Sequence, residues 1–291
     1  MIKIAKQFLL NPFVLMFCFL AIQYILLQLV CTIERPLFAL APFTLPELTV
    51  TIITVLLVWL FWCRIQKRSL IQAGLDGKNA LQETVLGFFL GFIVSAAAVL
   101  CMTLYGTYQL HTIGPIRANL GEALLAMLLV AINEELMFRV FIFHTFERRW
   151  GTIVALVITA TIFGLLHMIN NIPAASMGQQ LCGCLYLIPE AGFLLNAAFL
   201  MRRRIWLPLG LHWAWNFFEG PIFGTYVSGT NLGAPLMHAK VAGPFWATGG
   251  PFGPEASVFG LLTGTAIGAL LAWYAIKYGS WRQVPAEEAK V

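Results

Sequence analysis

Charge is scarce in this chain. Only 11% of its 291 residues are Asp, Glu, Lys or Arg, against about a quarter in a soluble domain. Aspartate is nearly absent, with Asp76 alone, in a loop, so no pair of aspartates can form an acid–base dyad inside a membrane. There is no His-Glu-x-x-His helix signature, which excludes one common zinc site. No Gly-x-Ser-x-Gly elbow occurs, so that kind of serine nucleophile is excluded too. The six cysteines (18, 31, 63, 101, 182 and 184) form no metal-ligand pattern. Cys182-Gly-Cys184 has the wrong spacing for a CxxC redox pair, and all six read as small apolar residues at helix contacts. There is no internal repeat and no low-complexity tract. A cleavable leader is not expected: the first apolar run follows Lys3 and Lys6, but it is too long for a signal h-region and lacks a small-residue cleavage site.

Apolar residues are abundant instead, at 59%, with a mean hydropathy of +0.81. The apolar runs are about twenty residues long, the length of a helix crossing a bilayer, and show no alternating ten-residue strands of a barrel. The expected fold is therefore an all-α integral membrane protein with about eight transmembrane helices. They fall near 9–32, 44–63, 84–107, 121–146, 151–170, 180–201, 205–221 and 256–277. Lys and Arg in the connections set the orientation. With the N-terminus inside, the inner side holds 14 of the 18: Lys3, Lys6, Arg64, Lys67, Arg68, Lys78, Arg148, Arg149, Arg202, Arg203, Arg204, Lys277, Arg282 and Lys290. The outer side holds 3, Arg35, Arg117 and Lys240, and Arg139 lies within a span. Both termini are expected to be cytoplasmic. The net charge of +5 then reflects orientation and implies no nucleic-acid partner. The expected setting is a multi-pass protein of the cell inner (plasma) membrane, in contact with lipid. No soluble domain can be cut out. The longest connections are 64–83, inside, and 222–255, outside, the latter a Gly- and Pro-rich candidate for a lid or folded cap.

Polar groups inside the spans stand out. A charge at mid-span costs roughly 2.5–3.5 kcal/mol on insertion scales, yet the fourth span holds Glu134, Glu135 and Arg139. Glu135 and Arg139 are i,i+4 and can pair on one helix face. Glu134 points about 100° away, so one carboxylate reads as structural and the other as free. His167 lies in Phe163-Gly-Leu-Leu-His167, and His212 and Asn216 share a face in His212-Trp-Ala-Trp-Asn216. Depth gives an independent check. The inner turn Arg148-Arg149-Trp150-Gly151 centres near 150.5, so Glu134 and His167 are each 16.5 residues from it. At about 1.5 Å per residue, less the turn, both sit roughly 20 Å from the inner end of a core about 30 Å thick. Asn216 reaches a similar depth on its own helix, and His212 lies about one turn shallower. Taken singly, a membrane His or Asn often only bonds across helices; the coincidence of depth is what speaks for a site. Glu190, after Pro189, reads as lining a polar cavity or satisfying a kinked helix. His111, His144 and His238 are expected in exposed, unremarkable positions.

A glutamate in low dielectric is a competent general base. Two imidazoles and a carboxylate are also the ligand types of a hydrolytic zinc site. Asn and His can donate hydrogen bonds to a developing oxyanion. The set suits activation of water and attack on an amide.

Glu134-Glu135-x-x-x-Arg139, Phe163-x-x-x-His167 and His212-x-x-x-Asn216 resemble, in order, the three signature motifs of the CPBP family. This is the family of CAAX prenyl protease 2 and of bacteriocin-processing and bacteriocin-immunity (Abi) proteins. Each motif is short; the ordered triplet in successive helices is specific. The resemblance covers about 121–221, and Thr248-Gly-Gly-Pro-Phe-Gly-Pro-Glu255 is similar to a loop of bacterial members. It implies N-terminal transmembrane helices over 1–120, a catalytic core over 121–221, and an outer loop with the last helix over 222–291. It implies an intramembrane (metallo)endopeptidase acting on a membrane-associated peptide or protein. Glu134 and His167 would activate the attacking water, His212 and Asn216 would form the oxyanion site, and Glu135 and Arg139 would support them. Zn2+ or another divalent metal fits that set, with Glu134, His167 and His212 as its ligands; the same groups also fit a metal-free base with donors. The alternative from another class is a non-enzymatic immunity or scaffold protein, or a transporter coupling protons through Glu134, Glu190 and the histidines.

Overall fold

A computed structural model describes residues 11–37, 44–115, 118–170, 172 and 174–278. Lys3, Lys6, Arg117, Arg282 and Lys290, which enter the charge count, lie outside the described residues, as do both termini. The protein is mostly helical (76%). Helices α1 (Pro12–Leu37), α2 (Thr44–Val58) and α3 (Ala80–Tyr105) precede a short strand β1 (Tyr108–Ile113). Then come α4 (Ala118–Glu135), α5 (His144–Leu166), α6 (Met177–Leu187), α7 (Phe193–Arg202) and α8 (Trp206–Phe217). Strand β2 (Met237–Val241), the single turn α9 (Phe245–Thr248) and α10 (Val258–Lys277) complete the described chain.

Among the described residues, 6 helical stretches are long and apolar enough to cross a membrane. One of them, Asn119–Ile169, is 51 residues long, more than twice what one crossing of about 20 residues needs. It is broken at Gly151, whose φ of 83° and ψ of 172° are not helical. Phe138 and Phe163 are each 12.5 residues from the turn centre at 150.5, and their rings lie 5.0 Å apart. The two arms therefore fold back on one another in the register that counting from the turn implies. α8 with its continuation to Ile222 is shorter and is not among the six stretches.

Among the described residues four segments widen into π-helix: Trp59–Ile65, Leu136–Phe143, Ile188–Gly192 and Phe218–Ile222. Pro189 and Pro221 lie in two of them; proline has no N–H to give to the α-ladder, so the ladder reroutes there. The segment Leu136–Phe143 begins directly after Glu135 and is buried along its whole length. A π-turn is a costly conformation that tends to persist where it aims a side chain.

Helices α3 and α8 pack very closely, made possible by glycine. A Cβ at Gly210 would stand 2.0 Å from the Thr84 carbonyl oxygen, and one at Gly87 would stand 2.1 Å from that of Leu207. The helices cross nearly backbone to backbone, and α8 carries His212 and Asn216. Gly210→Leu is therefore expected to lose at least about 3 kcal/mol through overpacking. Thermal melting in detergent checks this, and an unchanged midpoint would refute the close crossing.

Polar contacts tie the other helices together. The Thr54 hydroxyl donates to Asn133 Oδ1, and Gln23 Nε2 donates to Thr54 Oγ1 at 3.0 Å, linking α1, α2 and α4. At the opposite ends of the helices, Arg203 pairs with Glu147 at 2.8 Å and Arg204 pairs with Glu83. His144, expected to be exposed, is buried, and its Nδ1 lies 2.8 Å from the Arg139 carbonyl oxygen. The contact joins the first residue of α5 to the π-helical segment before it.

β1 and β2 form an antiparallel ribbon, Tyr108 opposite Val241 and Ile113 opposite Met237. This ribbon, absent from an all-α expectation, makes the 222–255 connection a folded cap. The Tyr108 hydroxyl donates to the Phe223 carbonyl at 2.7 Å, and burial pushes its pKa up to about 12.

Candidate active site

Helices α2, α4, α5 and α8, with the cap, line a partly open cavity of about 420 Å³. Glu134, His167, His212 and Asn216 all line it. Glu135 and Arg139 do not; they lie behind the wall, 0% and 1% exposed. Four polar side chains from three separate helices thus share one cavity with Phe163, while Glu135 and Arg139 are packed behind it.

Glu135 has two partners. Its Oε1 lies 3.2 Å from Arg139 Nη1 and 2.9 Å from His212 Nδ1. The sequence suggested only the first. The Arg139 contact meets the distance for an ion pair, but none of the guanidinium nitrogens has a well-aligned hydrogen bond. We read it as charge balance more than as a directional bond, with the guanidinium also set 5.3 Å over the Phe163 ring. The His212 contact is directional: a carboxylate accepts, so Nδ1 carries the proton and Nε2 is turned toward the cavity. There Nε2 lies 3.7 Å from Glu134 Oε2.

His167 ends α5. Its Nδ1 lies 2.8 Å from the Phe163 carbonyl oxygen. A carbonyl only accepts, so Nδ1–H donates and Nε2 is left for the cavity. The spacing Phe163-x-x-x-His167 is what lets a residue at the last turn reach the i−4 carbonyl. Glu134 Oε2 is buried and has no hydrogen-bond partner, although the side chain is 21% exposed. A carboxylate that lines a cavity, with part of its side chain accessible there, is placed to take a proton from a water.

The cavity wall also contains residues that sequence reasoning passed over: Glu47 of α2, Asn133, Asn170, Ser228, Thr230 and Glu255. Asn133 precedes Glu134 and was legible as polar; the rest arrive through chain closure over long separations. Asn170 Nδ2 donates to the Ser228 carbonyl at 3.0 Å and fastens the cap to the end of α5. The Thr248–Glu255 loop reaches the wall by a tight fold: a Cβ at Gly249 (φ +70°) would stand 1.6 Å from the Gly253 carbonyl oxygen. Glu190 is fully buried, does not line the cavity, and packs beside Gly260 and Gly264 of α10.

Comparison with known proteins adds one finding. Residues 116–218 match the model of a family described as type II CAAX prenyl endopeptidase Rce1-like. The match spans all three motifs, is consistent with the CPBP family, and covers less than half of the chain. It supports an intramembrane protease of CAAX type at the level of the family, in a multi-pass membrane protein. No curated protein matches the chain, and no solved structure matches it.

Proposed function

We propose that this protein is an intramembrane endopeptidase that hydrolyses a peptide bond of a membrane-associated protein or peptide. The observation that carries the reading is the convergence of Glu134, His167, His212 and Asn216 on one cavity, within the segment that matches a peptidase family. The setting we propose is eight spans with both termini cytoplasmic, in a bacterial-type inner membrane. It rests on the inner bias of Lys and Arg and on counting the hairpin and α8 as three crossings.

In the proposed reaction a water held between Glu134 and His167 gives a proton to Glu134 as its oxygen attacks the carbonyl carbon. The resulting oxyanion accepts hydrogen bonds from Asn216 Nδ2 and, when the ring is protonated, from His212 Nε2. Proton delivery from Glu134 to the leaving nitrogen breaks the C–N bond and restores the carboxylate. Glu135 acts through His212 by fixing its ring, and it balances Arg139. These are stabilisations of charge that develops in the transition state, where fixed dipoles in a sheltered site count most.

A metal bound by Glu134, His167 and His212 is the other account that the resemblance implies. Zinc ligands lie about 2.0–2.2 Å from the ion, so three of them must crowd together. Among the described residues no three His, Cys, Asp or Glu side chains stand close enough to hold a metal. The residues as arranged do not fit the ion, and no step above runs through one.

Purified protein incubated with a membrane-tethered peptide tests the reading, with products identified by mass. His167→Ala is expected to slow cleavage by about a hundredfold or more, the usual contribution of a positioned acid–base group. Equal rates would remove His167 from the mechanism. Substrate flux into proteoliposomes without any cleavage would favour a transporter.

A further inference from the structure

The cavity region is short of positive charge. Glu47, Glu134 and Glu255 line the cavity, and no Lys or Arg does so among the described residues. Glu47 lies within electrostatic reach of Glu134, and Glu255 within reach of Glu134, Glu190 and Glu219. Behind the wall Arg139 is the neighbouring guanidinium, and Glu135 already offsets it. Glu190 and Glu219 are fully buried; neither carboxylate oxygen of Glu190 has a hydrogen-bond partner, and Glu219 lies against the Trp215 indole.

Glu255 is the informative member. It is only 3% exposed and lines the cavity; Ser228 hydrogen-bonds its carboxylate, while Oε1 has no hydrogen-bond partner. A tight glycine loop brings it there from the cap, while Glu47 comes from the first turn of α2. Two elements far apart in sequence thus each present a carboxylate to the same space. Carboxylates sheltered from water are stable when paired; Ser228 hydrogen-bonds Glu255 and His212 lies within its electrostatic reach, but among the described residues no Lys or Arg of the cavity wall adds a fixed positive charge. The missing charge is one that a ligand can bring.

We propose that the cavity contains a subsite for a cationic group of the substrate, with Glu47 and Glu255 as its specificity-determining residues. This rests on the endopeptidase reading for the word substrate, but the subsite itself is a matter of binding. The ligand class is an apolar peptide segment carrying an ammonium or guanidinium: a Lys or Arg side chain, or a free amino terminus. The same carboxylates disfavour a peptide that brings its own carboxylate into the cavity, because like charges in a sheltered site repel strongly.

The test uses the full chain in a neutral detergent and fluorescent apolar peptides that differ at one central residue. Binding is read by fluorescence polarisation for Lys, Arg, norleucine and Glu at that position, each with a free and an acetylated amino terminus. The expected result is that Lys or Arg binds at least about tenfold tighter than norleucine, and Glu weakest. Preference that follows the free amino terminus instead assigns the subsite to the chain end, within the same proposal. In Glu47→Gln/Glu255→Gln the preference is expected to fall to within about twofold. Equal binding of the cationic and norleucine peptides to wild type would overturn the proposal and needs no variant to be read. So would no binding by any cationic peptide, or a preference that survives in the double variant. Cleavage is scored separately by mass: binding with the expected preference but no product would sink the endopeptidase reading and leave the subsite standing.

Discussion

Glu134→Gln is expected to lower the rate of peptide cleavage by about 10²–10⁴-fold, the range for removing a general base, while leaving the protein folded. Glutamine has nearly the same shape and volume, so the packing around α4 is preserved. What it lacks is the ability to take a proton. Glu134 is the one carboxylate of the adjacent pair that faces the cavity, with Oε2 unpartnered and 3.7 Å from His212 Nε2. The adjacent Glu135 does not stand in its place, because it is fully buried and engaged with Arg139 and His212. The measurement is the initial rate on a membrane-tethered peptide, with a melting curve alongside. A variant that melts like wild type and cleaves like wild type would mean that the base is another group.

Glu135→Ala has a different signature, and its largest effect is on stability. Removing one partner of a buried pair leaves the other charge unmatched, which costs about 3–5 kcal/mol. Arg139 is 1% exposed, and among the described residues its only carboxylate at ion-pair distance is Glu135. The variant is expected to melt well below wild type. Glu135→Ala/Arg139→Met removes both charges and is expected to regain most of that stability, since apolar replacement of a buried pair is often neutral. Activity is not expected to return with it. His212 Nδ1 would still lack its acceptor at 2.9 Å, and a ring free to turn no longer presents Nε2 to the oxyanion. Recovery of both stability and rate in the double variant would show that Glu135 serves only as the counter-ion of Arg139. Separating the two readouts is therefore what distinguishes support of a charge from orientation of an imidazole.

The pairing of Glu135 with Arg139 was legible in the sequence because it depends only on helix pitch. The hairpin register was legible for the same reason: a helix rises by a constant amount per residue, so equal counts from one turn reach equal depths. The rings of Phe138 and Phe163, 5.0 Å apart, sit where that count puts them. The link from Glu135 to His212 was not legible, because it depends on how closely α8 approaches its neighbours. That approach is set by bare backbone at Gly210, Gly87 and Gly91, and an isolated glycine in an apolar run does not declare what it touches. His144 went the same way. It packs against the Arg139 carbonyl at the end of the π-helical segment Leu136–Phe143, and no apolar periodicity marks that change of winding.

What the sequence by itself determined is the solvent and the separation of roles. A chain with 59% apolar residues belongs in lipid, and the few polar groups it keeps there are singled out by the free energy needed to hold them. Their helical spacing already set Glu134 apart from Glu135. Tertiary structure alone decided what surrounds them: Glu47 from the second helix, Ser228 and Glu255 from the folded cap, and the space of about 420 Å³ between. The physical reason is one of range. Helix geometry acts over a few residues and can be counted, whereas a cavity is the volume that packed helices and a closed loop leave unfilled, and no residue contains that information before the chain has closed.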